Sequence, residues 1–149
     1  MEVEISPELN ALLKSLIGNE RRKIYQQIGK KLPHTFRFNP LKGDIRDQQA
    51  LFEEQGFRFF PLEGRENIFQ ITEQPYPIGK SLSHFLGHIY VQDIASMLPA
   101  IVLDPQPGDW ILDLSAAPGS KTTQLGALMQ NSGVLIANDI VGKRLRALG

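Results

Sequence analysis

The sequence predicts an α/β chain in two parts: a small N-terminal α/β unit, then the opening strand, loop, helix and strand of a doubly wound parallel sheet. Three stretches carry that prediction. Trp110-Ile-Leu-Asp-Leu114 is a short apolar run behind the turn signal Pro107-Gly108-Asp109, the pattern of a buried parallel strand. Ser115 to Ser120 contains no side chain larger than proline and leads into a helix. Val134 to Ala137 is a second apolar run, set off by Asn131-Ser132-Gly133.

Composition bounds the function classes. At 149 residues the chain holds one ordinary domain, or a small domain and part of another. A hydrophobic content of 42% with 21% charged residues describes a globular chain. The formal net charge is zero, so no global field draws the chain to nucleic acid or membrane. The absence of cysteine excludes disulfides and cysteine-based zinc sites. No apolar stretch approaches the ~20 residues of a membrane-spanning helix, and Met1-Glu-Val-Glu4 has no apolar segment behind it of the kind a secretory signal needs. Cytoplasm is the expected location, and no membrane partner is expected.

In chain order, Ser6-Pro7-Glu8 starts a first helix with a cap residue, a proline and an acid. Leu9, Leu12, Leu13, Leu16 and Ile17 then form one apolar stripe up to Gly18, expected to be core. A second helix runs from Asn19 toward Gly29, with Ile24, Tyr25 and Ile28 expected inward. Between Arg21 and Arg46 stand eight basic residues and one acid, Asp44, a local basic surface suited to RNA phosphates. Within it Phe36 and Phe38 alternate with Arg37, as in a strand with one wet face.

Residues 33–73 read as strand (Thr35 to Asn39), helix (Asp44 to Gln55, stopped by Gly56), strand (Phe57 to Phe60) and strand (Ile68 to Ile71), with Gly64-Arg65-Glu66-Asn67 as the last turn. Pro75-Tyr-Pro-Ile-Gly79 breaks regular structure and is the expected boundary between domains 1–79 and 80–149. His84 and His88 are four apart but lack a glutamate and a third ligand, so no metal site is read from them. A helix from Gln92 to Leu103 presents Ile94, Met97, Leu98 and Ile101 as its apolar side, with a kink or break expected at Pro99. Gln92 and Ser96 face either the ligand and RNA or plain solvent.

The loop's spacing discriminates among ligands. A Walker loop requires glycines at the positions held by Ser115 and Ser120, and the dinucleotide fingerprint requires three glycines where only Gly119 stands. What remains is a nucleoside cofactor without a pyrophosphate, and S-adenosyl-L-methionine fits: its carboxylate suits the start of the following helix. Asp139 ends the second strand about 20 residues after Gly119, where βαβ units place an acid on ribose hydroxyls. The competing reading of Asn138-Asp139 is a cap on a helix expected to begin near Val141.

Asp113-Leu-Ser-Ala-Ala-Pro-Gly-Ser-Lys-Thr-Thr-Gln124, with Tyr90-Val-Gln-Asp-Ile-Ala-Ser-Met-Leu-Pro99 before it and Ala137-Asn-Asp139 behind, resembles the Sun/Nop family of S-adenosylmethionine-dependent RNA cytosine-5 methyltransferases. The similarity covers residues 33 to 149. It implies a Rossmann-like methyltransferase sheet, present here as its first part, preceded by an RNA-binding α/β domain. It also implies that Ser115, Ala116, Ala117, Pro118, Gly119, Ser120 and Lys121 line the cofactor site, with Asp139 on the ribose. Many members have Cys at the position of Ser115 and Gly at that of Ser120. Lys121 either pairs with the cofactor carboxylate or stays solvated.

The family adds a cysteine thiolate to carbon 6 of the cytosine, which makes carbon 5 nucleophilic. This chain has no thiol, so no catalytic residue is expected in it. The expectation is an N-terminal portion of an RNA methyltransferase, with ribosomal RNA the first substrate and transfer RNA the second. Such a portion is expected to be inactive and marginally stable alone, being either a truncated copy or one completed by a second polypeptide. The rival from another class is a noncatalytic RNA-binding module.

Overall fold

The computed structural model describes residues 4–30, 32–64 and 67–148. The chain divides into two compact units, Met1–Leu32 and Pro33–Gly149. In the first, helix α1 (Pro7–Ile17) opens with the Ser6 hydroxyl accepting from the Leu9 amide, as its sequence predicts. A 3-10 turn leads into helix α2 (Arg21–Gln27). Asn10 Oδ1 ties the two helices together by accepting from Arg21 Nε at 3.2 Å and Tyr25 Oη at 2.8 Å. The apolar stripe of α1 is not core: Leu9, Leu12, Leu16 and Ile17 are exposed, Leu16 to 69%. A two-helix unit of this length has too little surface to cover such a stripe.

The second unit is α/β. Strands β1 (Thr35–Phe38), β2 (Arg58–Pro61), β3 (Phe69–Glu73) and β4 (Ile89–Val91) make an antiparallel sheet in the order β2-β3-β1-β4. Helix α3 (Ile45–Glu54), capped by Asp44 accepting from the Arg46 amide at 2.7 Å, packs on one face. Phe36 and Phe38 project to that face and join Phe52, Phe57, Phe69, Ile78 and Ile89 in the core. Phe52 stacks on Phe57 at 4.2 Å, while Phe36 meets Phe38 edge to face at 5.2 Å.

Two expectations change here. Arg37 does not lie on a wet face: β1 is interior to the sheet and all four of its residues are buried. The Pro75 to Gly79 break is not where the structure divides either, because β4 pairs with β1 through Phe36↔Val91, Arg37↔Tyr90 and Phe38↔Ile89. The chain passes through a 3-10 turn (Ile78–Lys80) and helix α4 (Leu82–Phe85) to complete that sheet. The last turn of the small unit includes Arg65 and Glu66, which lie outside the described residues.

Helix α5 (Ile94–Leu103) continues through Pro99 without a break. It precedes strand β5 (Trp110–Asp113), helix α6 (Ser120–Leu128) and strand β6 (Val134–Ala137). Strands β5 and β6 pair in parallel from Trp110↔Val134 to Asp113↔Ala137, the strand-helix-strand crossover that the sequence predicts. Leu135 faces α6, since its Cδ2 lies 3.7 Å from where a Cβ on Gly126 would stand. Alternation then sends Trp110, Leu112 and Ile136 to the opposite face. That face is uncovered: Trp110 is 80% exposed, and Leu112, Leu114 and Ile136 are exposed as well. The expected burial of β5 is therefore only half realised, because two strands and one helix cover one face of a sheet.

The aromatic cluster carries the second unit's stability. Phe52→Ala should lower unfolding free energy by about 3–5 kcal/mol, whereas Leu12→Ala in the exposed stripe should change it by less than about 0.5 kcal/mol. Guanidinium unfolding followed by circular dichroism checks both; equal effects would show that the cluster is not the core.

Candidate functional site

The site is built where β5 ends. Asp113, the last residue of the strand, accepts from the Ser115 amide through Oδ1 at 3.1 Å and from the Thr122 hydroxyl through Oδ2 at 2.6 Å. One carboxylate thus pins the start of the loop to the first turn of α6. The loop amides then bond across to β6 and its end. Ala116 N–H donates to the Asn138 carbonyl at 2.9 Å, and Ala117 N–H donates to Asp139 Oδ2 at 3.1 Å. Ala116, Ala117 and Gly119 are buried, while Ser115 and Pro118 are exposed.

Gly119 stands at φ 116° and ψ 3°, a conformation that favours glycine. A Cβ there would also meet the Leu148 side chain at 2.5 Å. Gly119 is the N-cap of α6, and no side chain among the described residues caps that helix. The first amides of α6 are therefore left for an acceptor from elsewhere. Lys121 lies half-buried in the same turn.

Asp139 faces the loop. Its side chain is 4% exposed. Oδ1 accepts from the Val141 amide at 2.9 Å, so the carboxylate caps the following turn as well as holding the loop. The Val141 amide, the Ala117 amide and the Arg144 guanidinium together hold its carboxyl below the ordinary aspartate range. Arg144 reaches in from a 3-10 turn, Gly142–Ala147, which replaces the helix expected from Val141 onward. Its Nη1 is 3.6 Å from Asp139 Oδ2, and its Nη2 donates to the Ala117 carbonyl at 2.8 Å.

The eight predicted residues do not share one cavity. A concavity of ≈280 Å³ is bordered by Ser115 and Lys121, but not by Ala116 to Ser120 or by Asp139. Its wall includes Ile111, Leu112 and Asp113 of β5, which point to both faces of the strand, and Leu114 and Ser115 just beyond it. Consecutive residues line a cavity together only along a strand's edge, so this concavity marks the side of β5 away from β6. The loop, the uncapped helix start and Asp139 form a separate constellation beside it.

Gln92 is neither a ligand-facing nor a surface residue. It is buried, accepting from Arg37 Nε at 3.2 Å and donating to the Ser96 carbonyl and to Gln124 Oε1. Arg37, Thr122, Thr123 and Arg144, which the sequence reading leaves out of the site, all touch the loop or the helix that follows it. His84 lies in α4 and His88 beyond Gly87, so the pair does not share a helix face.

A family model described as 16S rRNA methyltransferase RsmB/F matches residues 100–149, the segment that contains the loop and Asp139. Over this segment the chain is similar to that family. The tRNA (cytosine(49)-C(5))-methyltransferase of Pyrococcus abyssi is 39% identical over 130 residues, which are 87% of this chain and 41% of that protein. The ribosomal RNA small subunit methyltransferase F of Shewanella sp. strain ANA-3 is 39% identical over 120 residues, 78% of this chain and 25% of that one.

Among solved structures, a methyltransferase homolog protein from Pyrococcus horikoshii superposes with a TM-score of 0.85 at 35% identity, covering 95% of this chain and 47% of that one. NSun6 from the same organism, solved with SFG, gives 0.83 at 18% identity, a likeness of fold alone. The chain thus spans between a quarter and just under a half of the two curated relatives and the first of these structures.

A carboxyl with a lowered pKa in the folded chain contributes stability that is full above its unfolded value and disappears as pH falls through the folded value. Protection of the Ala117 amide from hydrogen exchange should therefore hold from pH 7 to 5 and fall only below the ordinary aspartate value of 3.8. Asp139→Asn should lower that protection throughout and remove the acid step. A loss already complete at pH 5 would contradict this role.

Proposed function

We propose that this chain is the cofactor-binding portion of an S-adenosylmethionine-dependent RNA cytosine-5 methyltransferase, with ribosomal RNA as its substrate class. Ser115, Ala116, Ala117, Pro118, Gly119, Ser120 and Lys121 hold the amino-acid end of the cofactor, and Asp139 holds its ribose. The observation that carries this reading is the uncapped start of α6 behind a loop of small residues whose Ala117 amide is bonded to the Asp139 carboxylate. An anionic carboxylate suits the free amides of a helix start. An aspartate has about four acceptor positions, so Asp139 retains capacity for sugar hydroxyls beyond the two amides it serves. Arg144 lies over that carboxylate and has to swing aside for a ligand.

Bound there, S-adenosylmethionine supplies an electrophilic methyl group. This chain's part is to orient it and to exclude water from one side. Cytosine carbon 5 needs a thiolate on carbon 6 before it attacks, and the chain has no cysteine. On this reading the nucleophile comes from residues beyond these 149 or from a second polypeptide, and the chain alone transfers no methyl group. The same added mass covers the open edge of β5 and the exposed face of Trp110, Leu112, Leu114 and Ile136.

RNA is the partner, held in part by the basic residues between Arg21 and Arg46, now without Arg37, whose guanidinium is buried. Transfer RNA is the second reading, favoured by the identity to the Pyrococcus abyssi tRNA enzyme. The protein works in the cytoplasm.

Calorimetric titration of the folded chain with S-adenosylmethionine should give saturable binding, weakened by about tenfold or more in Asp139→Ala. Absence of uptake by a folded sample would favour a noncatalytic RNA-binding module instead.

A further inference from the structure

Among the described residues of the second unit Arg37 is the most deeply buried cation, 3% exposed, and it sits on a strand interior to the antiparallel sheet. Burial pulls its guanidinium pKa down to about 10, so it remains charged at neutral pH. The group lies 5.0 Å from the ring centroid of Tyr90, its neighbour on β4. Its Nε donates to Gln92 Oε1 at 3.2 Å. Its Nη2 leaves the sheet altogether, donating to Thr123 Oγ1 at 2.7 Å and more weakly to the Ser120 carbonyl at 3.4 Å.

The Thr123 hydroxyl has one proton to give. Having accepted from Arg37, it donates that proton to the Gly119 carbonyl at 2.7 Å. The Thr123 amide binds the same carbonyl at 2.9 Å. Two hydrogen bonds in series therefore connect the middle of the small sheet to the one glycine of the loop. Lysine, a single-point donor on a flexible stem, lacks the planar fork that serves Gln92 and Thr123 together. A cation beside the start of a helix is disfavoured by the helix dipole, so this placement is not explained by the stability of α6 itself.

We propose that Arg37 and Thr123 are positioning residues: their relay sets the backbone of Gly119 and the first turn of α6 in the orientation that receives the cofactor's anionic end. This rests on the cofactor reading above. It assigns to the small sheet a second task besides holding RNA, that of a rigid mount for the loop. Neither residue touches the ligand, and each acts through the Gly119 carbonyl.

The test uses the full chain and the variants Thr123→Val, Thr123→Ser and Arg37→Gln. Thr123→Val keeps the β-branched shape and removes the hydroxyl, whereas Thr123→Ser keeps the hydroxyl. Hydrogen exchange over residues 117–124 should speed up by about tenfold in Thr123→Val and Arg37→Gln, with the Ile71 amide on β3 unchanged. Affinity for S-adenosylmethionine should fall by about the same factor in both. Thr123→Ser should match the parent within about twofold on both readouts.

Unchanged exchange over 117–124 in Thr123→Val overturns the relay, and so does a loss that spreads equally to Ile71. Equal cofactor affinity in the parent and Thr123→Val overturns the link to the ligand. A parent chain with the expected exchange pattern and no cofactor uptake overturns the cofactor reading, while the mechanical relay stands. If Arg37→Gln fails to fold, the valine and serine pair at position 123 decides the matter.

Discussion

A loop of small residues cannot hold its own shape. Ser115 to Ser120 has almost no side-chain volume with which to pack, so its conformation is imposed by groups outside it. Asp113 fixes its beginning, the Asn138 carbonyl and the Asp139 carboxylate fix its middle, and the Thr123 hydroxyl fixes its glycine. The backbone thereby keeps a defined path with no bulky loop side chain beside it, a combination that larger residues in the loop would forfeit. Asp139 is central because it joins three things at once: the end of β6, the loop and the turn that follows. The two readings of that acid, helix cap and ligand holder, are not alternatives, since one carboxylate oxygen caps Val141 while the other faces the loop.

The small antiparallel sheet supports this arrangement from the opposite side. One face of β1 is filled with phenylalanines and is self-sufficient; the other carries Arg37 toward α6. Gln92 and Gln124 complete the polar layer between the sheet and the two long helices, so the buried guanidinium has partners rather than an apolar environment. On the far side of β5 and β6 the situation is reversed. Apolar side chains are exposed there and the strand edge is open, which accords with a chain that spans under half of the two curated relatives compared above.

The sequence reads well where physics is local. The Ser6 cap, the helix from Asp44 to Gln55 and the β5 to β6 crossover follow from residue type and spacing, and each occurs at or within a residue or two of its expected place. It reads poorly where the answer depends on which elements become neighbours. Arg37 between two phenylalanines has the pattern of a strand with one wet face, and only the pairing of β1 between β3 and β4 buries it. The stripe of α1 has the periodicity of core, yet its unit offers no layer to cover it. Pro75 and Pro77 mark a turn correctly, but a turn does not reveal that the chain returns to the same sheet. Arg144 lies over Asp139 because its segment forms a short 3-10 turn in place of a helix, which periodicity over eight residues does not distinguish.

The central claim is that the loop and Asp139 together grip one molecule of S-adenosylmethionine. Its most direct test is a structure of the chain solved with the cofactor. The account predicts ribose hydroxyls on the Asp139 carboxylate, the amino-acid carboxylate on the first amides of α6, and Arg144 displaced from Asp139. Adenosine bound elsewhere, with the Arg144 to Asp139 ion pair intact, would contradict it.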